Sequence, residues 1–351
     1  MCNIAGYIGK RQAAPILIEM MKREEGFAAG YYTGMTVHDG TRLVSDKVLG
    51  GMDRFLAETE AADFVGTCGF IHSRSKSGGG REWGQPFLSG DGRSSLIANG
   101  AAGAFLTPEM KKKRCDFALR LEAAGYTFFS RDIGAIGDYP ALADGTSIHS
   151  TDLMCQYVTS LIDGGMSPKE AMTRMCRELP CEAVSLLMRE ECPDSIFITR
   201  VNYPMTVGVA TDGDIYFATT RLAFPPEVEF ETIQFLPEAS AYEVTRGGGI
   251  PMPTPLTLSL EVAPITNEMI DRAFPLFVNR LIELKGEPTM AGPLLSAYRE
   301  VWPEGKIDQA EPLFYFLCER LRDEGRLGIA PLIVEGAAPG YTATRLGVYL
   351  K

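Results

Sequence analysis

The chemistry of this chain begins at its second residue. With Met1 removed, Cys2 carries its thiol and a free α-amine on one carbon, so the nucleophile brings its own base. An α-amine titrates at about 7.7–8.0 and a free thiol at about 8.5, so near neutrality the amine can accept the thiol proton. Ile4-Ala5-Gly6-Tyr7-Ile8 has the pattern of a short buried strand carrying the cysteine into a core, and Gly6 and Gly9 allow close backbone approach. Judged by position alone, the commoner role for Cys2 is a buried structural cysteine.

Three later positions could serve such a nucleophile. Arg74 closes an apolar strand over residues 66–74, just before Gly78-Gly79-Gly80. There it could grip a carboxylate with two parallel hydrogen bonds, or simply make a surface ion pair. A strand over 94–98 ends in Asn99-Gly100, where a side-chain amide and a glycine N–H could face a developing oxyanion. The same dipeptide is commonly no more than a turn. His149-Ser150-Thr151-Asp152 precedes an amphipathic helix over 153–162, so Ser150 or Asp152 could cap it. At that helix start Asp152 could instead hold a ligand ammonium.

The elements that must position these residues alternate between helices and short strands. Ile16, Leu17, Met20 and Met21 predict a helix over 13–25 that stops at Gly26. Strands over 28–37 and 42–45 turn at Asp39-Gly40, and a short helix follows over 47–59. Lys111-Lys112-Lys113-Arg114 begins a helix over 110–124 and reads as a solvated face. With 351 residues, 45% of them hydrophobic, the chain can build a full domain and a smaller one. The net charge of −11 argues against a nucleic-acid surface, which needs a basic face. Eight scattered cysteines without CxxC pairs, and three histidines, argue against a zinc site and for free thiols in a reducing cytoplasm. No apolar stretch is long enough for a membrane span and no signal peptide is evident.

Taken together, the stretch from Cys2 to Gly9, Ile71-His72-Ser73-Arg74, Ala98-Asn99-Gly100, Gly125-Tyr126-Thr127-Phe128 and Ser150-Thr151-Asp152 resemble, in order, the motifs of the class II glutamine amidotransferases. These are N-terminal nucleophile glutaminases, and the likeness is nearest to the glutaminase half of glucosamine-fructose-6-phosphate aminotransferase. It continues through 183–199, 205–220 and 241–245, so it covers about the first two-thirds of the chain. The resemblance implies an α+β fold with a four-layer αββα sandwich over residues 1–246. It also implies that Cys2 attacks the side-chain amide of glutamine or a related small amide, through a thioester, releasing ammonia and glutamate. Arg74 would hold the α-carboxylate and Asp152 the α-ammonium. Ser77 would bond the substrate, and Asn99 and Gly100 would form the oxyanion hole. No cofactor or metal is implied. A separate synthase subunit could take the ammonia, and a homo-oligomer stays open.

Several positions depart from the family pattern. Asn3 stands where Gly is usual, Ser75 replaces a Trp, and Ser77-Gly78-Gly79 replaces Thr-His-Gly. Glu25-Gly26-Phe27-Ala28-Ala29 stands where the family has Arg-Gly-Tyr-Asp-Ser, so that Arg and Asp are gone.

A linker over 247–262, rich in Gly and Pro around Gly247-Gly248-Gly249-Ile250-Pro251, leads to a small α+β region over 263–351. Helices over 267–284, 293–301 and 311–324, then a hairpin of 332–335 with 341–350, resemble a winged helix. From residue 290 onward the basic residues are Arg299, Lys306, Arg320, Arg322, Arg326, Arg345 and Lys351. Glu300, Glu304, Asp308, Glu311, Glu319, Asp323, Glu324 and Glu335 outweigh them, so the region reads as a packing or protein-contact module and not a DNA reader. The alternatives to a glutaminase are a diverged fold that binds a small amide without turnover, and, more weakly, a regulator that senses glutamine and binds DNA.

Overall fold

The computed structural model describes residues 2–76, 78–134 and 137–351. Strand β1 (Asn3–Ile8) leads to helix α1 (Ala13–Ala28), the hairpin β2 (Tyr32–His38) and β3 (Leu43–Val48), and α2 (Met52–Glu58). Next come β4 (Cys68–Arg74), β5 (Phe87–Leu88), β6 (Ser94–Ala101) and the helices α3 (Pro108–Ala123), α4 (Ser150–Asp163) and α5 (Pro168–Glu178). Six strands follow, β7 (Glu182–Arg189), β8 (Ser195–Arg200), β9 (Thr206–Ala210), β10 (Ile215–Ala218), β11 (Phe230–Phe235) and β12 (Ser240–Thr245). The chain ends with β13 (Thr254–Pro255), α6 (Asn267–Glu283), α7 (Ala291–Leu295), α8 (Ala310–Asp323) and the hairpin β14 (Leu327–Glu335) and β15 (Thr342–Leu350).

Among the described residues two large antiparallel sheets form. One has the order β11-β9-β10-β1-β4-β2-β3, the other β13-β12-β8-β7-β6-β5. Ile4, Ile8, Phe70 and Phe217 of the first share a core with Ile97, Leu186, Ile198 and Val244 of the second. On its other face the first sheet packs Tyr7, Met35 and Ile71 against Leu17, Met20 and Met21 of α1. The second packs Leu96, Leu187 and Phe197 against Phe117 of α3, Val158 of α4 and Met175 of α5. β1 is central and apolar on both faces, and every residue of it is buried.

Helices α6 and α8, the segment between them and the final hairpin share a separate core with Phe27 of α1. Burial of Phe27 there contributes roughly 1.5–3 kcal/mol. This contact explains why α1 does not stop at Gly26. Arg345 donates from Nε to the Gly26 carbonyl and from Nη2 to that of Phe27, each at 3.0 Å, capping the helix end from β15. Gly26 serves as the point of closest approach: a Cβ there would come within 2.5 Å of Leu346 Cγ.

Other local differences have equally specific causes. β3 runs on to Val48 and α2 starts only at Met52, after Gly50 at φ +146. α4 begins at Ser150 and is capped by His149, whose Nδ1 accepts from the Thr151 N–H at 3.1 Å; neither Ser150 nor Asp152 is the cap. The expected helix over 293–301 divides into α7 and a 3₁₀ segment, Ser296–Val301, kinked at Tyr298. No helix among the described residues is long and apolar enough to cross a membrane.

Candidate functional site

β1 pairs with β10 and β4, and the register Asn3↔Ser73 fixes Cys2 at the end of the central strand, beside the residues that follow Arg74. The strand end is held from the other side by Thr219, which accepts from the Ile4 N–H through Oγ1 at 2.9 Å and donates its own N–H to the Ile4 carbonyl at 3.0 Å. Cys2 is buried but not sealed, with 7% of its surface exposed, and its Sγ lies 3.9 Å from Ser75 Oγ.

β6 brings Asn99 to the same place. Asn99 Oδ1 accepts a hydrogen bond from the Cys2 N–H at 2.9 Å. Because the partner is a donor, the amide must face Cys2 with its oxygen, which leaves Nδ2 as a free donor beside the thiol. Among the described residues no side chain or carbonyl takes that Nδ2. Gly100 follows at φ +138, and any side chain there would run into the Glu182 carbonyl oxygen.

Two buried side chains set the height of this strand. Gln85 donates from Nε2 to the Ala98 carbonyl at 2.9 Å and accepts the Ala98 N–H through Oε1 at 2.6 Å. His72 Nε2 meets the same carbonyl at 3.2 Å, so it must carry the proton and donate. Burial, and then the charge of Arg74, push the His72 pKa down to about 3, which keeps the ring neutral. His72 of β4 is thereby bonded across the two sheets to the main chain of β6 just before Asn99.

Arg74 is 2% exposed and forms no ion pair with an acid among the described residues. Its Nη1 donates to the Trp83 carbonyl at 3.0 Å and its Nη2 to Tyr139 Oη at 3.4 Å. The guanidinium lies 4.8 Å from the centroid of the Tyr32 ring and 5.7 Å from that of Trp83. A buried cation without a counter-ion is expensive unless an anion visits it, so the geometry suits a carboxylate-bearing ligand. A cavity of about 220 Å³ beside Gly100, lined by Ala98, Tyr139, His149 and Thr151, adjoins this cluster. Burial, then the Arg74 charge, hold His149 well below its usual value, so it too is neutral.

Asp152 is engaged elsewhere. Its Oδ2 accepts from the Phe129 N–H at 2.8 Å, the Ser130 N–H at 2.9 Å and Ser130 Oγ at 2.8 Å, and its Oδ1 from Gln156 Nε2 at 3.1 Å. Burial raises its pKa while these donors oppose the rise. The carboxylate anchors the start of the loop that brings Tyr139 over Arg74. Ser77 lies outside the described residues.

Sequence reasoning missed Gln85, Trp83, Tyr139 and Thr219, none of which carries a local pattern. It also read Glu25 only as a missing Arg. Glu25 is a buried hub whose Oε1 accepts from Thr33 Oγ1 at 2.9 Å and Ser73 Oγ at 2.7 Å and whose Oε2 accepts from the Met52 N–H at 3.0 Å. It therefore ties α1 to β2 and to the residue before Arg74. The departure at Asn3 leaves a fully buried side chain whose Oδ1 and Nδ2 have no hydrogen-bond partner among the described residues.

Comparisons with known proteins bear on the same region. No family model matches the chain. It is 26% identical over 252 residues to a glutamine–fructose-6-phosphate aminotransferase (isomerizing) of Bacteroides thetaiotaomicron, covering 70% of this chain and 36% of that protein. The enzyme of the same name from Staphylococcus aureus is 25% identical over 226 residues, covering 64% of this chain and 33% of the relative. The chain thus spans about a third of the length of the curated relatives it matches. Among solved structures, glutamine phosphoribosylpyrophosphate amidotransferase from B. subtilis aligns with a TM-score of 0.58 at 14% identity, over 94% of this chain and 66% of that one. An allosteric regulatory enzyme of purine biosynthesis aligns at 0.57 and 14%, over 80% and 58%. At that identity the likeness concerns the fold.

Proposed function

The chain carries a class II glutamine amidotransferase-type domain, and on that premise we propose that it hydrolyses the side-chain amide of glutamine at Cys2. The bond from the Cys2 N–H to Asn99 Oδ1 carries this reading, because it puts nucleophile, base and oxyanion donor within one contact. After removal of Met1 that nitrogen is the α-amine. It takes the thiol proton, and the thiolate adds to the amide carbon. Asn99 Nδ2 and the Gly100 N–H receive the negative charge on oxygen, a contribution of about 2.7–4 kcal/mol for one such donor. Collapse breaks the C–N bond, and the protonated amine returns its proton so that ammonia leaves. Water, deprotonated by the same amine, then cleaves the thioester to glutamate and regenerates the thiol.

In this reading Arg74 holds the substrate α-carboxylate, and Ser77 remains a substrate contact from the loop beyond it. Asp152, whose oxygens are occupied by the protein, acts as a positioning residue for the Tyr139 loop. The three stacked cores support an αββα layering for residues 1–246. The helices and hairpin of 263–351 support a winged-helix-like module that packs and does not bind DNA. Relatives named for aminotransfer to fructose 6-phosphate support an acceptor for the ammonia, which we place on a partner synthase. Glutamine binding without turnover is the second reading, favoured by the closed bonding of Asp152. An electrophilic diazoketone analogue of glutamine tests the first. It should alkylate Cys2 alone, seen by mass on the amino-terminal peptide, and glutamine should protect. Labelling that ignores glutamine, or that misses Cys2, overturns the proposal.

A further inference from the structure

Where the C-terminal helices meet the first region there is a cavity of about 340 Å³, at the lower end of the ~300–1,000 Å³ typical of small-molecule sites. Asn202 and Tyr203, between β8 and β9, form one wall; Arg299, Trp302, Asp308 and Glu311 form the other. Three of these residues carry orphaned atoms. Among the described residues, Asn202 Oδ1, Trp302 Nε1 and Glu311 Oε2 are buried without any hydrogen-bond partner. Asn202 is 4% exposed, and its Nδ2 is already given to Glu182 Oε2 at 2.9 Å and the Asp308 carbonyl at 3.1 Å. That fixes Oδ1 as a spare acceptor. Buried polar atoms are seldom left unpaired, because each costs the full loss of its hydration.

The unmet groups sort by chemistry into two kinds. Asn202 Oδ1 and Glu311 Oε2 accept, and one is a carboxylate. Trp302 Nε1 and Arg299 donate; Arg299 is exposed at the rim and pairs with no acid among the described residues. A cation alone would leave the donors unmet, and an anion alone would leave the acceptors. A small molecule with an ammonium and a carboxylate serves both. We propose that this cavity binds a free α-amino acid as its zwitterion, with the ammonium on Asn202 and Glu311 and the carboxylate on Trp302 and Arg299.

The site is separate from the Arg74 cluster but not isolated from the nucleophile. Burial lifts the Glu311 carboxyl to about 7; the positive charge of the amino terminus, and then the Tyr203 hydroxyl, oppose the rise, while a negative charge on the Cys2 thiol adds to it. Burial also raises Tyr203, with the charges of Glu311 and the Cys2 thiol adding to it. An ammonium bound at Glu311 therefore changes the field at Cys2, which makes the cavity fit for a second substrate or an effector.

Calorimetric titration of the full chain with each of the standard amino acids tests the assignment. The Arg74→Ala protein is titrated in parallel, so that binding at the proposed glutamine site is removed. At least one amino acid should bind the Arg74→Ala protein with 1:1 stoichiometry. Its N-acetyl and methyl-ester derivatives should each bind roughly ten-fold or more weakly. Arg299→Ala, a change at the exposed rim, and the isosteric Glu311→Gln should each weaken binding roughly ten- to hundred-fold, as expected for a lost charge-assisted hydrogen bond. Failure of every amino acid to bind the Arg74→Ala protein overturns the proposal, as does equal binding of the blocked derivatives. Binding is read without turnover, so an inactive Cys2 would leave the outcome intact.

Discussion

Asn99→Asp separates the two jobs assigned to this side chain. An aspartate keeps an oxygen where Asn99 Oδ1 now accepts from the Cys2 N–H at 2.9 Å. It loses Nδ2, the donor proposed for the oxyanion, and places a negative charge where the developing charge must sit. The side chain is 1% exposed, so water cannot replace the donor. Removing one such donor costs about 2.7–4 kcal/mol in comparable sites, a fall in kcat of roughly 10²–10³. Repulsion adds to this, so the lower figure is a floor. Asn99→Ala should lose similar activity but also leave the Cys2 N–H unpaired, at about 1–3 kcal/mol of folding stability. The assay is steady-state glutamate release from Met-trimmed protein, paired with denaturant unfolding of each variant. Expected are a kcat down at least a hundred-fold for Asp, a KM within a few-fold, and a stability loss confined to Ala. An Asn99→Asp enzyme within about three-fold of the parent kcat would refute the oxyanion assignment.

Three further outcomes follow from the same geometry. Arg74→Lys keeps the charge but loses the planar fork, so KM for glutamine should rise roughly ten- to hundred-fold with kcat little changed; an unchanged KM would remove Arg74 from the substrate. His72 has its pKa lowered from 6.5 to about 3, so between those values the unfolded chain binds the extra proton. Its contribution is intact above pH 6.5 and is lost as pH falls toward 3, by about 2 kcal/mol at pH 5 at 1.36 kcal/mol per pH unit. Unfolding measured at pH 7 and pH 5 should show His72→Gln, which can still donate to Ala98, losing about 2 kcal/mol less than the parent; equal losses would sink this assignment. Gly26→Ala should destabilise by about 1–3 kcal/mol, because overpacking against Leu346 outweighs the helix-propensity gain of up to ~1 kcal/mol. A stabilised variant in chemical unfolding would mean that β15 does not press on α1 as described.

The residues at the ends of β1, β4 and β6 were legible because each sits beside a strong local pattern, an apolar strand closed by a polar residue. Their order along the chain carried the rest. Asp152 was legible as an acid at a helix start, but not as the anchor of Phe129 and Ser130, since a hydrogen bond to a folded-back loop leaves no trace in spacing. His149 as a cap was missed because histidine is an unusual choice for that place. Gly26 looked like a helix stop, and only the arrival of β15 from the far end of the chain shows why a glycine is needed within the helix. Gln85 was invisible for the same reason: its value lies in reaching the main chain of a strand that follows it. Local propensity names elements, while the partners that tune a site come from distant segments.

The central claim is that Cys2, freed as the amino terminus, turns over glutamine. Mass spectrometry first establishes that Met1 is absent, and the trimmed protein and its Cys2→Ala variant are then incubated with glutamine and assayed for glutamate. Glutamate formed by the parent and absent with Cys2→Ala is the expected result. Equal glutamate from both, or none from either, would contradict it.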